Sequence, residues 1–206
     1  MKTTKKALLA LVCAVALVFG SVFATYAYLT STTETVTNTF TVGKVEITLD
    51  EAAVDVYGSE IDMDNDGDID DDDRRTTNEY KLIPGHEYAK DPTVHVTAGS
   101  EQCYVFVKVV DEIAGIEDAT TIAEQMKTND WVALTGETNV YYYNGGSNAG
   151  VVDAREAKAD LPVFANFKIK TDADVSTYNG KTVTVIAYAV QADGFTSAAA
   201  AWEAAF

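Results

Sequence analysis

Apolar and polar positions alternate along most of this chain with the period of a β-strand. Val36, Phe40 and Val42 share even positions, whereas Val45, Ile47 and Leu49 share odd ones. A change of parity turns the buried set to the other face, so a bend or bulge is expected at Gly43-Lys44. Val94, Val96 and Ala98 alternate with Thr93, His95 and Thr97, the pattern of a strand with one buried face. Residues 103–110 are apolar on both faces until Lys108, which predicts a central strand. Residues 140–143 form an aromatic strand candidate. Leu161, Val163, Ala165, Phe167 and Ile169 alternate cleanly, and residues 183–190 are again apolar on both faces. Pro84-Gly85, Asn144-Gly145-Gly146 and Asn179-Gly180 are turn signals between these runs. Many short strands with such turns predict an all-β fold, a jelly-roll-like two-sheet sandwich. Two short peripheral helices are expected. One covers residues 118–126, capped by Asp118 or Thr120. The other covers 197–206, an alanine run whose Trp202 and Phe206, four apart, are placed to dock on the sandwich. The sequence holds no internal repeat.

The N-terminal stretch reads differently. Lys2, Lys5 and Lys6 precede an apolar run from Ala7 to Phe23, and small residues follow in Ala24-Thr25-Tyr26-Ala27. This is the layout of a secretory signal peptide over residues 1–27, with a helical apolar core and cleavage expected between Ala27 and Tyr28. The alternative is a retained anchor, for which the run is at the short limit of a spanning helix. Cys13 lies in the run behind Val12, and a lipoprotein site needs a small residue there. Residues 28–206 are then expected to form one β-sandwich domain. The chain carries 15 Lys and Arg against 32 Asp and Glu. Taking away the three leader lysines leaves a formal charge of −20 on the mature part. That balance argues against nucleic acid as a partner, and against anionic membrane once the leader is gone. It suits a secreted, extracellular protein, and it suits calcium. Cys103 is the single cysteine after residue 27, so no internal disulfide can form; an inert, buried thiol in a strand is expected.

One segment stands out chemically. Residues 62–73 read Asp-Met-Asp-Asn-Asp-Gly-Asp-Ile-Asp-Asp-Asp-Asp, the length and spacing of a twelve-residue calcium loop. Asp62, Asp64 and Asp66 stand at positions one, three and five. Gly67 stands at six, where the turn needs a positive φ. Asp68 offers its carbonyl at seven, Ile69 is the apolar eighth position, and Asp70 and Asp73 stand at nine and twelve. Calcium takes six to eight oxygens, and this spacing converges carboxylates from one short turn. Asp73 departs from the usual Glu, whose longer side chain reaches the ion with both oxygens. Neither flank has the pattern of a paired helix, so an isolated loop is expected. A solvated acidic insertion without a specific ion is the competing reading.

Catalytic patterns are missing. His86 and His95 are the only histidines, and no His-Glu-x-x-His, Gly-x-Ser-x-Gly or Cys-x-x-Cys occurs. The chain is therefore expected not to be an enzyme. Tyr141, Tyr142 and Tyr143 could form a carbohydrate-stacking platform or alternate between core and surface.

Three segments together carry a family resemblance: Ala24–Thr30 with Asn38–Leu49; Leu82-Ile83-Pro84-Gly85 with Lys90-Asp91-Pro92-Thr93-Val94, Gly99-Ser100-Glu101 and the strand from Cys103; and Ala187–Ala192 with the C-terminal helix. They resemble the TasA/camelysin group of exported proteins. The resemblance implies a jelly-roll domain, processing by a SipW-type signal peptidase, export from a Gram-positive-type cell, and a place in the biofilm matrix or on the cell surface. It also implies fibres in which an N-terminal strand of one subunit completes the sheet of the next, with residues 28–42 as that strand. The metalloprotease activity described for camelysin finds no zinc pattern here. Three readings follow: a fibre-forming matrix protein partnered by itself or by other surface proteins, a monomeric calcium-binding surface module, and a secreted metalloprotease.

Overall fold

The computed structural model describes residues 43–206 and, ahead of them, Cys13 alone. The expected leader at 1–27, the strand-exchange segment 28–42 with Val36, Phe40 and Val42, and the parity change entering Gly43 therefore lie outside the described residues.

The described chain is built mostly of antiparallel strands. β1 (Ile47–Ala52), β2 (Arg74–Arg75), β4 (Thr93–Val96) and β9 (Ala159–Pro162) form a four-stranded sheet in the order β2-β1-β4-β9. β5 (Cys103–Asp111), β6 (Trp131–Ala133), β7 (Val140–Tyr143) and β11 (Val183–Gln191) form a second sheet in the order β11-β5-β7-β6, with β8 (Val151–Val152) also on β5. β3 (Glu87–Ala89) and β10 (Asn166–Lys168) pair with each other.

The alternation explains the layering. Val94 and Val96 of β4 and Leu161 of β9 are buried in one cluster with Cys103, Val105, Val107 and Val109 of β5. Val45, Ile47 and Leu49 pack against the same cluster, as do Val183, Val185, Ala187 and Ala189. The main core thus lies between the two sheets, the arrangement of a sandwich. The other face of β5 accounts for its doubly apolar sequence. Tyr104 and Phe106 are buried there beneath the C-terminal helix, while Lys108 is exposed.

That helix, Ala198–Ala205, starts at the Ser197 cap, whose hydroxyl accepts from Ala200 N at 3.2 Å. Trp202 lies 5.1 Å from the Phe106 ring and 5.4 Å from Tyr188, the docking expected of it. The other helix, α1, runs Ile122–Thr128 and not 118–126. Its cap is neither Asp118 nor Thr120. Thr121 forms a capping box with Glu124, and the reciprocal pair of hydrogen bonds fixes the start there.

The run 161–169 is a second departure. It is not one strand but β9 and β10, in different sheets. Phe164 is buried and Ala165 exposed, so the alternation slips where the chain crosses over. α1 holds this crossing: Gln125 Oε1 accepts from Ala165 N at 3.0 Å and Asn166 N at 3.3 Å, and its Nε2 donates to Asn166 O at 2.8 Å. Backbone groups that left the ladder are thereby satisfied.

Candidate functional sites

The aspartate loop leaves the four-stranded sheet after β1 and returns at β2. Ala53 N donates to Asp73 O at 2.7 Å, and Arg74 pairs with Ala52 in the sheet, so both ends of the loop are pinned. Within it, Asp62 Oδ2 accepts from Gly67 N at 2.9 Å, Asp64 Oδ1 from Asp66 N at 3.1 Å and Asp66 Oδ1 from Asp68 N at 2.9 Å. Asn65 at φ 63° and Gly67 at φ 100° make the left-handed bends that wrap the chain around this centre. One oxygen from each of Asp62, Asp64 and Asp66 lies within 4.8 Å of the others.

The structure thus gathers three of the six aspartates expected at the site. Asp68 is tied to the group through its N–H, which donates to Asp66 Oδ1. Asp70 and Asp73 stand outside the group. Asp70 caps the 3-10 turn Asp71–Asp73, accepting from Asp72 N at 2.9 Å. Asp73 is 2% exposed, and its two oxygens accept from Met63 N and Asp70 N. The shorter side chain at position twelve therefore braces the loop from inside.

Next to the loop, an ion-pair chain crosses the face of the sheet. Lys158 Nζ lies 3.3 Å from both Asp71 and Asp160. His95 bridges Asp160 at 2.7 Å and Asp50 at 3.0 Å through its two ring nitrogens, and Arg74 joins Asp50 to Asp91. Burial works to lower the His95 pKa, but the bonds to Asp160 and Asp50 outweigh it and raise the value. His86 is elsewhere, its Nε2 2.8 Å from Tyr57 O. Cys103 is fully buried and burial pushes its thiol to about 11, which makes it inert.

The second site is a groove of about 1170 Å³ between β1 and β11. Leu49, Asp50 and Glu51 form one wall and residues 182–185 the other, over a floor that includes Ile113, Phe167 and Tyr178. Its geometry follows from the pairing. β11 pairs only with β5 and ends its sheet among the described residues. β1 pairs with β4 along Ile47–Asp50, and its other edge meets β2 only at Glu51 and Ala52. Two backbone edges thus flank an opening onto the core, and among the described residues β11 on its outer side and β1 along Ile47–Asp50 have no strand partner facing it. The sequence reading missed this groove, because an unpaired edge is a property of sheet order and leaves no mark on alternation.

No family model matches the chain, and neither the curated proteins nor the solved structures give a match.

Proposed function

We propose that this chain is a secreted structural protein of the extracellular matrix or cell surface, of jelly-roll type, which assembles into fibres by strand exchange. The observation that carries this reading is the open groove between β1 and β11. Residues 28–42 of one mature copy enter the groove of the next and pair along an exposed edge, as in other strand-addition complexes. The segment suits the role: Thr32 to Thr41 is rich in β-branched residues, has no proline and carries Glu34 as its only charge. Release of the leader by a signal peptidase frees it, and head-to-tail exchange does not close on itself, so filaments result. The chain acts without catalysing a reaction on a substrate. A mature form and a form beginning at Gly43 test this. By electron microscopy and light scattering the first forms filaments and the second remains monomeric. Equal assembly by both, or a mature form monomeric at high concentration, refutes the exchange.

A second reading concerns the loop and is compatible with the first. Asp62, Asp64 and Asp66, with the Asp68 carbonyl, hold one calcium ion, Asp70 contributes through water, and Asp73 positions the loop.

A further inference from the structure

At the end of the groove three side chains from separate segments meet, two of them buried and Asn78 half-buried. Glu51 of β1 and Lys90, just after β3, are both buried and joined by a hydrogen bond from Nζ to Oε2. The other oxygen of the same carboxylate, Oε1, accepts from Asn78 Nδ2 at 2.9 Å. The Asn78 carbonyl oxygen is held from the opposite side. Oδ1 accepts from Val54 N at 3.0 Å and from Arg75 Nε at 2.5 Å. The Tyr80 ring lies under Nζ at 5.9 Å, and Tyr80, Tyr88 and Phe167 pack with ring centroids 4.8–5.7 Å apart. An amine, a bridging carboxylate and a polarised carboxamide are the parts of an amide-forming reaction.

We propose that Lys90 and Asn78 join in an intramolecular isopeptide bond, with Glu51 carrying the protons. A buried ion pair is costly, and passing a proton from Nζ to Glu51 turns two desolvated charges into two neutral groups. The free amine attacks Asn78 Cγ. Negative charge gathers on Oδ1, where the Val54 N–H and the Arg75 guanidinium already point, the geometry of an oxyanion hole. The Nζ–Cγ bond forms, the Cγ–Nδ2 bond breaks, and nitrogen leaves as ammonium through the groove. Lys90 loses two protons, Nδ2 gains two, and Glu51 ends as it began. No oxidant, nucleotide or metal is consumed. The result is a covalent ring from residue 78 to residue 90, closing the Pro84-Gly85 turn in a chain whose mature part has one cysteine and no disulfide. This inference stands apart from the fibre reading, since it concerns one subunit.

Mass spectrometry of the folded, exported protein tests it. The intact mass falls below that of the sequence by one ammonia, about 17 Da. Trypsin then releases Thr76–Lys81 joined to Leu82–Lys108, uncut at Lys90. Lys90→Arg keeps the charge and Glu51→Gln keeps the shape; both give the full sequence mass and no joined peptide. A wild-type chain of unaltered mass that yields Thr76–Lys81 free and is cut at Lys90 overturns the proposal. So does an ammonia loss that persists in Lys90→Arg, which places it at Asn144-Gly145 or Asn179-Gly180 as a cyclic imide. Wild-type mass and peptides decide the matter even where a variant fails to fold.

Discussion

Glu117 follows the 3-10 turn Ala114–Ile116 and is 2% exposed, with Oε2 accepting from Ile122 N at 3.2 Å and Oε1 without a hydrogen-bond partner among the described residues. Burial, with Asp111 beside it, pushes its carboxyl up to about 7, and burial also raises Asp111. The Asp111 charge adds to the cost of ionising Glu117, so the two titrate as a pair. An acid whose folded pKa is raised stabilises the fold fully below its unfolded value, and that stability is lost as pH rises through the folded value. The domain therefore loses roughly 2 kcal/mol from this site between about pH 5 and pH 8. Glu117→Gln removes the titrating carboxyl, so its unfolding midpoint should be flatter over that range and higher than wild type at the alkaline end. Parallel urea-melt profiles for the two proteins would dispose of this titration. Little of this was legible in the sequence. Asp111 and Glu117 read as two acids among 32, and only the fold buries Glu117 with the Asp111 charge beside it. The same holds for His95, whose carboxylates at 50 and 160 are brought to it by neighbouring strands. Cys103 was legible, because apolar neighbours on both sides leave a thiol no route to water.

The aspartate loop is the element that alternation and spacing described best, since a loop with local ligands writes its chemistry in consecutive residues. Its expected positive φ at Gly67 is present, and three carboxylates converge. What spacing could not supply was the direction of Asp73, which depends on where β1 and β2 pin the loop. Under the proposed calcium reading, the dissociation constant expected of an extracellular module is about 0.1–1 mM. Binding to the folded form alone would then stabilise it by about 1.4–2.7 kcal/mol at ten- to hundredfold excess. Calorimetry should show one site, lost in Asp64→Asn, with a rise in unfolding temperature on adding calcium. Absence of both heat and thermal shift at roughly 10 mM calcium would eliminate the site. Strands show the complementary limit. β4, β5 and β7 follow their patterns closely, whereas the run 161–169 alternates without interruption on paper and changes sheet in space. Gln125 and Trp131, which hold that crossing through Asn166 and Pro162, come from elements 30 or more residues away. Periodicity sees one strand at a time; it has no access to the side chains that receive a strand where it ends.

At the scale of the molecule, the proposed assembly would bring together subunits of like sign. The whole chain has a formal charge of −17, and the proposed removal of residues 1–27, with three lysines and no acids, would make it −20. Each exchanged strand must dock against this repulsion, while the strand itself contributes one charge, Glu34, so the opposition comes from the bodies and not from the contact. Charges on separate subunits lie far enough apart for salt to screen them: the Debye length shrinks from about 30 Å at 0.01 M to about 8 Å at 0.15 M. The groove lining mixes apolar side chains with charges of both signs, among them Glu51, Arg75, Glu79 and Lys181, so the direction of the salt effect is set by the repulsion between the subunit bodies. The protein concentration at which filaments appear should therefore fall as sodium chloride is raised from about 0.01 to 0.5 M. Calcium should lower it further than an equal ionic strength of sodium chloride, because a bound ion removes charge from the acidic loop itself. An intermolecular contact resting on ion pairs would show the opposite slope, with filaments dissolving in salt. Turbidity and sedimentation across the salt series separate these cases, and a threshold that rises with salt would rule out repulsion between the subunit bodies as what opposes assembly.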